Sequence, residues 1–515
     1  MDDNHASDSQ IDWKFAEECD RSSCDLKGLE RTIDWKQGLA IALGVPLLIL
    51  PSIGYLTNYV WAFSIIIWGL TVLLGFLQNT AFGELATVLP KASGLPGYTQ
   101  IVFSSNTDEN ADGKFRIGKF IGGFSAWSYW LGWSPVIAIF AILIGSYLHD
   151  LTPAFSVIPQ TLFNLGVGVV VFGSMILINS KGLRNGANLG CILAVISLFP
   201  LMLITLAPFF TGDFHLTNIT GAWLPPEWTW DFKHILILLG LFAMAEWSAV
   251  AWESAAIFGP EYKNPNTDTP KSLLVCGLIC LVIYVLVQAS AIGTLGVTGV
   301  LSEPVSPLLP LAKLSLGQIG GSIVIVMLVA AMILIIQTAF LTSARSIYSM
   351  SVDGNLPAIF GKLNSNGDPT IAMIVNALFN MGLILLGTPT AILAASAVGY
   401  ILANGLSLFA YVKAKNDPRF SNLERPFKAP RGWKSVALMT GVLNIPLFLI
   451  GLVYLNSLEM GWVAIGVGFF VLCLYIPLSF YSLREVKKAA VKTKAIGERD
   501  RSAKERETTL AETPL

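Results

Sequence analysis

The sequence predicts an all-α polytopic membrane protein with twelve transmembrane helices, and three observations support this fold class. First, 54% of the 515 residues are hydrophobic and only 13% are charged, about half the charged fraction of a soluble domain. Second, the chain contains twelve apolar stretches of about the 20 residues needed to cross a bilayer. Third, Lys and Arg are concentrated in alternate loops. Together these features exclude soluble, fibrous, disordered and nucleic-acid-binding proteins.

The apolar stretches form one predicted domain over residues 36–484. In chain order they cover approximately 37–57, 61–88, 119–147, 159–179, 187–210, 233–258, 272–297, 317–347, 370–388, 390–412, 434–456 and 460–482. They lack the alternating pattern of short strands that a membrane β-barrel requires. Residues 1–35 are polar and acid-rich, so we expect a tail without a cleavable signal peptide. Residues 485–515 alternate basic and acidic side chains, which indicates a second solvated tail.

The distribution of basic residues predicts the orientation. With twelve spans, 31 of the 33 Lys and Arg residues lie on the side of the two termini, and only Lys233 and Lys313 lie on the other side. Basic loops remain on the cytoplasmic side of a membrane. We therefore expect a multi-pass plasma-membrane protein with both termini in the cytoplasm.

The first span is predicted to be interrupted. It contains Gly44-Val45-Pro46 and, five residues after Pro46, Pro51. Each proline removes a main-chain donor and disfavours helix at the preceding residue, and broken helices of this kind mark substrate sites in transporters. The freed carbonyls then need a substrate, an ion, water or another helix as partner. A proline kink buried against neighbouring helices is the alternative.

The sixth span is distinguished by its charges, since it has no Pro or Gly at its centre. Glu84, Glu246 and Glu253 are the acidic residues that fall within the predicted spans. Charged groups in a bilayer are costly and usually face a cavity or a polar pathway. Glu246 and Glu253, seven residues apart, would share a face of an unbroken helix. Either carboxyl is a candidate proton acceptor, and a structural hydrogen bond is an equal alternative; Glu84, near the end of span two, is expected to snorkel or cap.

Hydroxyl groups in span eight form a candidate cation site. Thr338, Thr342 and Ser343 cluster with Arg345 in the second half of this span, where they either bond the carbonyl four residues back or ligate a cation against the opened first span. Span three carries an aromatic group that could line a substrate cavity or belong to an interfacial belt: Trp127, Tyr129, Trp130 and Trp133.

Four segments occur in a fixed order along the predicted twelve-span chain: the broken first span ending at Leu50-Pro51; Gly83-Glu84-Leu85-Ala86 followed by Pro90-Lys91-Ala92-Ser93-Gly94; Trp247-Ser248 and Trp252-Glu253-Ser254 followed by Lys263-Asn264-Pro265; and Arg345 followed by Asp353-Gly354-Asn355-Leu356-Pro357. A further feature, Arg425-Pro426-Phe427-Lys428, precedes span eleven. Together these segments resemble the amino acid, polyamine and organocation transporter superfamily, and the resemblance covers roughly residues 35–485.

The resemblance implies the leucine-transporter fold. Its two inverted repeats would cover about residues 36–210 and 233–412, and the two additional helices about 434–483. Broken helices one and six would hold the substrate between them, with substrate contacts expected from Trp133, Ser248 and Ala251. Trp247 resembles the aromatic gate over the substrate, and Glu253 resembles the carboxylate that helps to sense protonation. Residues 44–46 lie where the family binds the substrate carboxylate through main-chain N–H groups.

The chain departs from the family pattern at three positions. Gly44-Val45-Pro46 replaces Gly-Ser-Gly, and Pro46 supplies no N–H, so carboxylate binding there is weakened or rearranged. Ala251 replaces a glycine, which should make unwinding harder. Ser197 occupies the place of a span-five lysine that substitutes for a sodium ion in several members, which leaves the coupling residue open.

These features predict a secondary transporter for amino acids or related amines that works by alternating access. We expect a neutral or cationic substrate and coupling to a proton, through Glu246 or Glu253, or exchange. A sodium-coupled symporter is the alternative, and a nutrient sensor with a transporter fold is an alternative of another class. No enzymatic motif, cofactor site or metal site is expected; the six cysteines lack matching His partners. The expected partners are the small-molecule substrate, the coupling proton or sodium ion, and the lipid bilayer.

Overall fold

The fold is all-helical throughout the described part of the chain. The structure is a computed structural model and describes residues 29–90, 93–104, 117–151, 155, 157–304, 307–386 and 389–484. Within these ranges the extended pairing consists of one isolated bridge, between Ile33 and Tyr262. Most of the predicted amino-terminal tail and all of the carboxy-terminal tail lie outside the described residues.

The helices follow the predicted apolar stretches closely. In chain order they are α1 (Trp35–Ala42), α2 (Ile53–Val60), α3 (Ser64–Val88), α4 (Gly94–Ser104), α5 (Ile117–Leu151), α6 (Gln160–Asn179), α7 (Leu183–Thr211), α8 (Leu216–Thr220), α9 (Phe232–Ala249), α10 (Pro265–Ser302), α11 (Leu308–Val352), α12 (Thr370–Leu386), α13 (Pro389–Asn416), α14 (Pro418–Ser421), α15 (Trp433–Val442) and α16 (Leu449–Cys473). Short 3₁₀ segments cover Val45–Ile49, Trp61–Phe63, Ala251–Glu261 and Ala358–Gly361, and a π-helical segment covers Leu443–Phe448.

Ten helical runs in the described residues are long and apolar enough to cross a membrane. The first run, Trp35–Val88, contains both predicted spans one and two. Predicted span nine corresponds to α12, an apolar helix of 17 residues. The count of twelve spans and the inverted repeat stay predictions.

Two helices extend past the predicted spans seven and eight. α10 bends at Gly296 (φ 66°) and α11 at Gly317 (φ 65°). Glycine adopts positive φ without the Cβ clash that other residues suffer, so each helix turns sharply and continues for a few residues. The predicted limits 297 and 317 therefore mark kinks rather than helix ends.

The interior of the bundle is built around α5, α11 and α13. α13 lies along α5, α11 packs against both α5 and α7, and α10 packs against α3. α6 is peripheral, and Val169, Val170 and Leu177 are exposed on its outer face. Exposed apolar side chains are expected where a helix faces lipid rather than water.

Both predicted interruptions are present. The first span divides at Leu43, where α1 ends, and the 3₁₀ segment that follows carries Pro46 in its first turn. The sixth span divides at Val250, between α9 and the 3₁₀ segment Ala251–Glu261. The α-helix of the sixth span ends directly before Ala251, so the break is present although alanine stands where glycine is expected.

Candidate functional site

The two interruptions lie against each other and are joined by side-chain hydrogen bonds. The Ser248 hydroxyl donates to the Leu48 carbonyl at 3.0 Å. The Tyr284 hydroxyl, on α10, lies 3.0 Å from the Val45 carbonyl and 2.7 Å from the Ser248 carbonyl. Carbonyls freed by a broken helix need a donor in a water-poor interior. Here two side chains of the chain itself supply the donors, which brings the predicted residues Val45 and Ser248 together.

Helix α11 packs directly on the start of the first interruption. The Thr338 hydroxyl is 2.5 Å from the Ile41 carbonyl and 3.1 Å from the carbonyl of Leu334. A Cβ atom placed on Gly44 would lie 2.3 Å from the Thr338 oxygen. Gly44 is therefore the residue that allows this close approach of the two helices.

The three hydroxyls predicted as a cation site do not form one cluster. Thr338 and Thr342 are one turn apart on α11, and the buried Thr342 hydroxyl has no hydrogen-bond partner among the described residues. Ser343 instead donates to the Ala339 carbonyl at 2.5 Å and accepts from the Asn376 amide on α12 at 2.8 Å. The structure thus brings Thr338 to the first span and directs Ser343 toward α12.

Glu253 is fully buried and accepts hydrogen bonds at both carboxyl oxygens. Trp133 of α5 donates its indole N–H to Oε1 at 3.3 Å, and Tyr400 of α13 donates to Oε2 at 2.8 Å. Two neutral donors on two oxygens suit a carboxylate. Trp133 and Glu253, both predicted site residues, are therefore direct neighbours.

Trp247 contacts the same two helices one turn earlier in the sixth span. Its indole N–H donates to the Ser396 hydroxyl at 2.9 Å, and Ser396 in turn donates to the Gly132 carbonyl at 2.6 Å. Trp247 is buried, as are Ala251 and Pro46. Two members of the span-three aromatic group diverge from this site: Trp127 bonds the Val471 carbonyl and Trp130 bonds Asn376. The buried Tyr129 instead lies beside Glu253.

Glu246 lies in a separate polar environment. Its Oε1 accepts from the Gln78 amide on α3 and from the Asn444 amide in the π-helical segment, each at 2.9 Å. The interruption at Val250 separates Glu246 from Glu253, so the condition for a shared face, an unbroken helix, is not met. Ser197 is also apart from the two interruptions in its bonding, since its buried hydroxyl donates to the Leu193 carbonyl of its own helix.

Sequence reasoning missed a buried ion pair. Glu261, at the end of the 3₁₀ segment, receives two hydrogen bonds from the Arg345 guanidinium, both at 2.8 Å, and the two side chains are 5% and 2% exposed. Main-chain bonds attach the segment before α1 at the same place: Thr32 N–H donates to the Glu261 carbonyl, and Lys263 N–H donates to the Ile33 carbonyl. The ion pair and these main-chain bonds thus hold the start of the first span against the end of the sixth span and α11.

A polar cavity of about 900 Å³ opens beside this ion pair. Its lining includes Lys181, Arg184, Glu261, Lys263 and Asp368, so segments next to α1, α7, α10 and α12 meet at one face. We call it the basic face after Lys181, Arg184 and Lys263, although three acidic residues, Glu30, Glu261 and Asp368, also line it. Burial raises the pKa of Asp368 to about 6; the nearby Arg345 charge and the Gly182 N–H oppose this rise, and the Glu261 charge adds to it.

Glu84 lies one turn from the end of α3 but neither snorkels nor caps the helix, which corrects the expectation for this residue. It is fully buried and contacts Lys415 and Arg425 at 2.5 Å each, the Tyr411 hydroxyl at 2.7 Å and the Ala429 N–H at 3.1 Å. The carboxylate therefore joins α3 to the segment between α13 and α15. Within the described residues, no group of three or more His, Cys, Asp and Glu side chains converges.

Comparison with known proteins gives consistent results. The family model described as amino acid permease matches residues 33–480. An uncharacterized amino acid permease of Bacillus subtilis is 23% identical over 370 residues, which cover 70% of this chain and 78% of that protein. An arginine/ornithine antiporter of Lactococcus lactis is 23% identical over 64% of this chain and 65% of the relative. A lysine-specific permease of the same species is 24% identical over 59% of each chain.

The fold is similar to that of a solved transporter. The manganese transporter of Eremococcus coleocola aligns with a TM-score of 0.57 over 90% of this chain and 99% of that chain, at 13% identity. An identity this low supports similarity of fold alone. The family model covers most of the sequence, and the helical runs supply the spans that such a protein needs. The chain is therefore a multi-pass membrane transporter that belongs to the amino acid permease family.

Proposed function

We propose that this protein moves neutral or cationic amino acids, or related amines, across the plasma membrane by alternating access. The basic face is then the cytoplasmic face, in agreement with the distribution of Lys and Arg along the sequence. We further propose twelve spans, with the inverted repeats and the two additional helices at the boundaries given above.

The observation that carries this proposal is the junction of the two interruptions through Ser248 and Tyr284. Interrupted helices that meet near the middle of a membrane protein supply main-chain donors and acceptors for a polar substrate. Gly44 and Val45 retain an N–H for a substrate carboxylate, whereas Pro46 does not. Ala251 then contributes main chain on the opposite side.

The side chains around this junction support the substrate class. Trp133 and Trp247 border it from α5 and the sixth span, and aromatic faces attract an ammonium group. Glu253 provides a buried carboxylate nearby, held by Trp133 and Tyr400. The relatives include an arginine/ornithine antiporter and a lysine permease, which favours substrates with a positive charge.

Alternating access requires a closure on each side of the site. In this proposal the Glu261–Arg345 ion pair closes the cytoplasmic side, and Trp247 closes the path toward the outside. Coupling is by exchange, or by a proton that Glu253 accepts, with Ser197 outside the proton path. A sodium-coupled symporter is the second candidate. It is supported by the Thr342 hydroxyl, which has no partner among the described residues and lies one turn from Thr338, the residue that contacts the first span.

Uptake by proteoliposomes tests the proposal. Vesicles that contain the purified protein are loaded with unlabelled arginine or left empty, and labelled arginine, lysine, leucine, putrescine and glutamate are offered outside. We expect uptake of cationic or neutral compounds, reduced at least about tenfold by Glu253→Gln. A preference for glutamate would refute the substrate class, and binding without flux under any imposed gradient would favour a sensor.

The same vesicles separate the coupling modes. Uptake that depends on internal arginine indicates exchange, and uptake driven by an inward pH gradient in sodium-free buffer indicates proton coupling. A strict requirement for sodium that Thr342→Val abolishes would replace both with the symporter. Ser457→Ala is the matched control for loss of a helix hydroxyl. The Ser457 hydroxyl donates to the Tyr454 carbonyl within α16.

A further inference from the structure

The polar environment of Glu246 differs from that of every other buried glutamate in the described residues. Glu84 and Glu261 are paired with Lys or Arg side chains, and Glu253 has one neutral donor on each oxygen. Glu246, which is 0% exposed, has two neutral donors on Oε1, and its Oε2 has no partner in the described structure. A buried carboxylate without a counter-charge is strongly unfavourable. Among the described residues, no Lys or Arg side chain forms an ion pair with Glu246.

The neighbours of Glu246 present further unpaired acceptors. The amide oxygens of Gln78 and Asn444 are buried and have no donor among the described residues. The amide nitrogens of these residues are each 2.9 Å from Glu246 Oε1, and the oxygen of a primary amide is about 2.3 Å from its nitrogen. Both amide oxygens therefore lie within about 5 Å of the carboxyl group. Each of the three unpaired oxygens in the described structure therefore lies within about 5 Å of Glu246 Oε1.

The main chain of the span-eleven run is irregular next to this cluster. Asn444 lies in the π-helical segment Leu443–Phe448, which also contains Pro446. A proline in a helix leaves a carbonyl about one turn earlier without its donor, and π-helical turns inside α-helices are frequent at functional sites. The irregular segment thus occurs at the residue that bonds Glu246.

We propose that Glu246, Gln78 and Asn444 form a binding site for one alkali-metal cation, distinct from the site between the two interrupted helices. A monovalent cation neutralises the single carboxylate, whereas a divalent ion would leave an excess positive charge in the bilayer interior. The unpaired oxygens of Glu246, Gln78 and Asn444 serve as ligands of this cation, in keeping with the preference of hard cations for oxygen. A proton on Oε2 satisfies only one of the other two acceptors. The inference concerns ion binding and does not depend on which compound the protein transports.

Thermal unfolding of the purified full-length protein tests this site. The protein is titrated with NaCl at constant ionic strength with choline chloride, and in parallel with KCl and LiCl. We expect at least one alkali cation to raise the unfolding temperature in a saturable manner. Glu246→Gln should weaken this effect at least about tenfold in apparent affinity, and Asn444→Ala should weaken it less. Glu253→Gln and Thr342→Val should retain it, because neither side chain is a ligand.

Several results would overturn the proposal. They are the absence of a cation effect in the unaltered protein, an undiminished effect in both Glu246→Gln and Asn444→Ala, and loss of the effect in Thr342→Val. Stabilisation by low pH instead of by cations, abolished by Glu246→Gln, would show that Oε2 carries a proton. If Glu246→Gln fails to fold, Asn444→Ala and direct binding of radioactive sodium to the unaltered protein decide the question. None of these measurements uses transport, so a failure of the proposed function remains distinguishable.

Discussion

Neutralising Glu261 should open the basic face. The Glu261–Arg345 pair has two hydrogen bonds of 2.8 Å and almost no solvent contact. Removing one partner of such a pair costs about 3–5 kcal/mol, because the other charge stays buried without compensation. Arg345 becomes hydrated when the face opens, so Glu261→Gln favours the open state. The free-energy difference corresponds to a shift of roughly 150- to 5,000-fold in the equilibrium between closed and open states.

A native cysteine can report this opening. Cys276 on α10 is buried, and its sulfur lies 3.8 Å from the Ala42 carbonyl at the end of α1. A membrane-impermeant maleimide applied to inside-out vesicles should label Cys276 slowly in the reference protein and much faster in the Glu261→Gln variant. The reference protein lacks the other five cysteines through substitution by Ser or Ala: Cys19, Cys24, Cys191, Cys280 and Cys473.

A double substitution distinguishes the effect of an unpaired Arg345 charge from general damage to the fold. Glu261→Gln combined with Arg345→Met removes both charges of the ion pair, so labelling should return most of the way to the reference rate. Unfolding temperatures measured for all variants show whether the fold is retained. Equal labelling rates in the single variant and the reference protein would refute the role of the ion pair as a closure. A double variant as fast as the single variant would refute the explanation by buried charge.

Three further predictions concern single residues. Gly44→Ala should destabilise the protein by about 1–3 kcal/mol and suppress uptake, because its Cβ would lie 2.3 Å from the Thr338 oxygen; Gly173→Ala, which meets no atom within 4 Å, is the control for unfolding temperature and uptake. Tyr284→Phe should cost about 1–3 kcal/mol by removing the one hydroxyl donor that lies within reach of the Val45 and Ser248 carbonyls, and unchanged stability in urea unfolding would contradict this. The folded-state pKa of Asp368, about 6, exceeds its ordinary value of about 3.9. The free energy of unfolding should therefore fall as pH rises from about 4 to 6. Asp368→Asn should remove that decline in unfolding curves measured at several pH values.

Local sequence rules predicted the first interruption but not the position of the second. Pro46 acts through its own missing N–H, and this effect can be read from the residue alone. The sixth span has no such residue near Val250, where the α-helix ends. Its interruption depends on donors from elsewhere in the chain, among them Tyr284, whose hydroxyl reaches the Ser248 carbonyl. The family resemblance indicated a break that composition did not.

The buried charges show the same limit. Arg345 was visible as a charge within an apolar span, which requires a partner. Its partner Glu261 is 84 positions away, and Glu84 reaches Arg425 across 341 positions. Pairings at such separations depend on the packing of the whole bundle, and hydropathy along the chain contains no information about them. The seven-residue spacing of Glu246 and Glu253 places the two side chains on one face only in an unbroken helix. Helical periodicity does not continue across the interruption between them.

The Tyr284 hydroxyl has a mechanical consequence. One oxygen atom lies within hydrogen-bonding distance of carbonyls on both sides of the junction, at Val45 and at Ser248. The two interruptions therefore cannot bend independently without moving this hydroxyl away from one of the two carbonyls. They move as one unit, and α10, which carries Tyr284, moves with them. A displacement that begins at either end of this assembly is transmitted through Tyr284 to the other end.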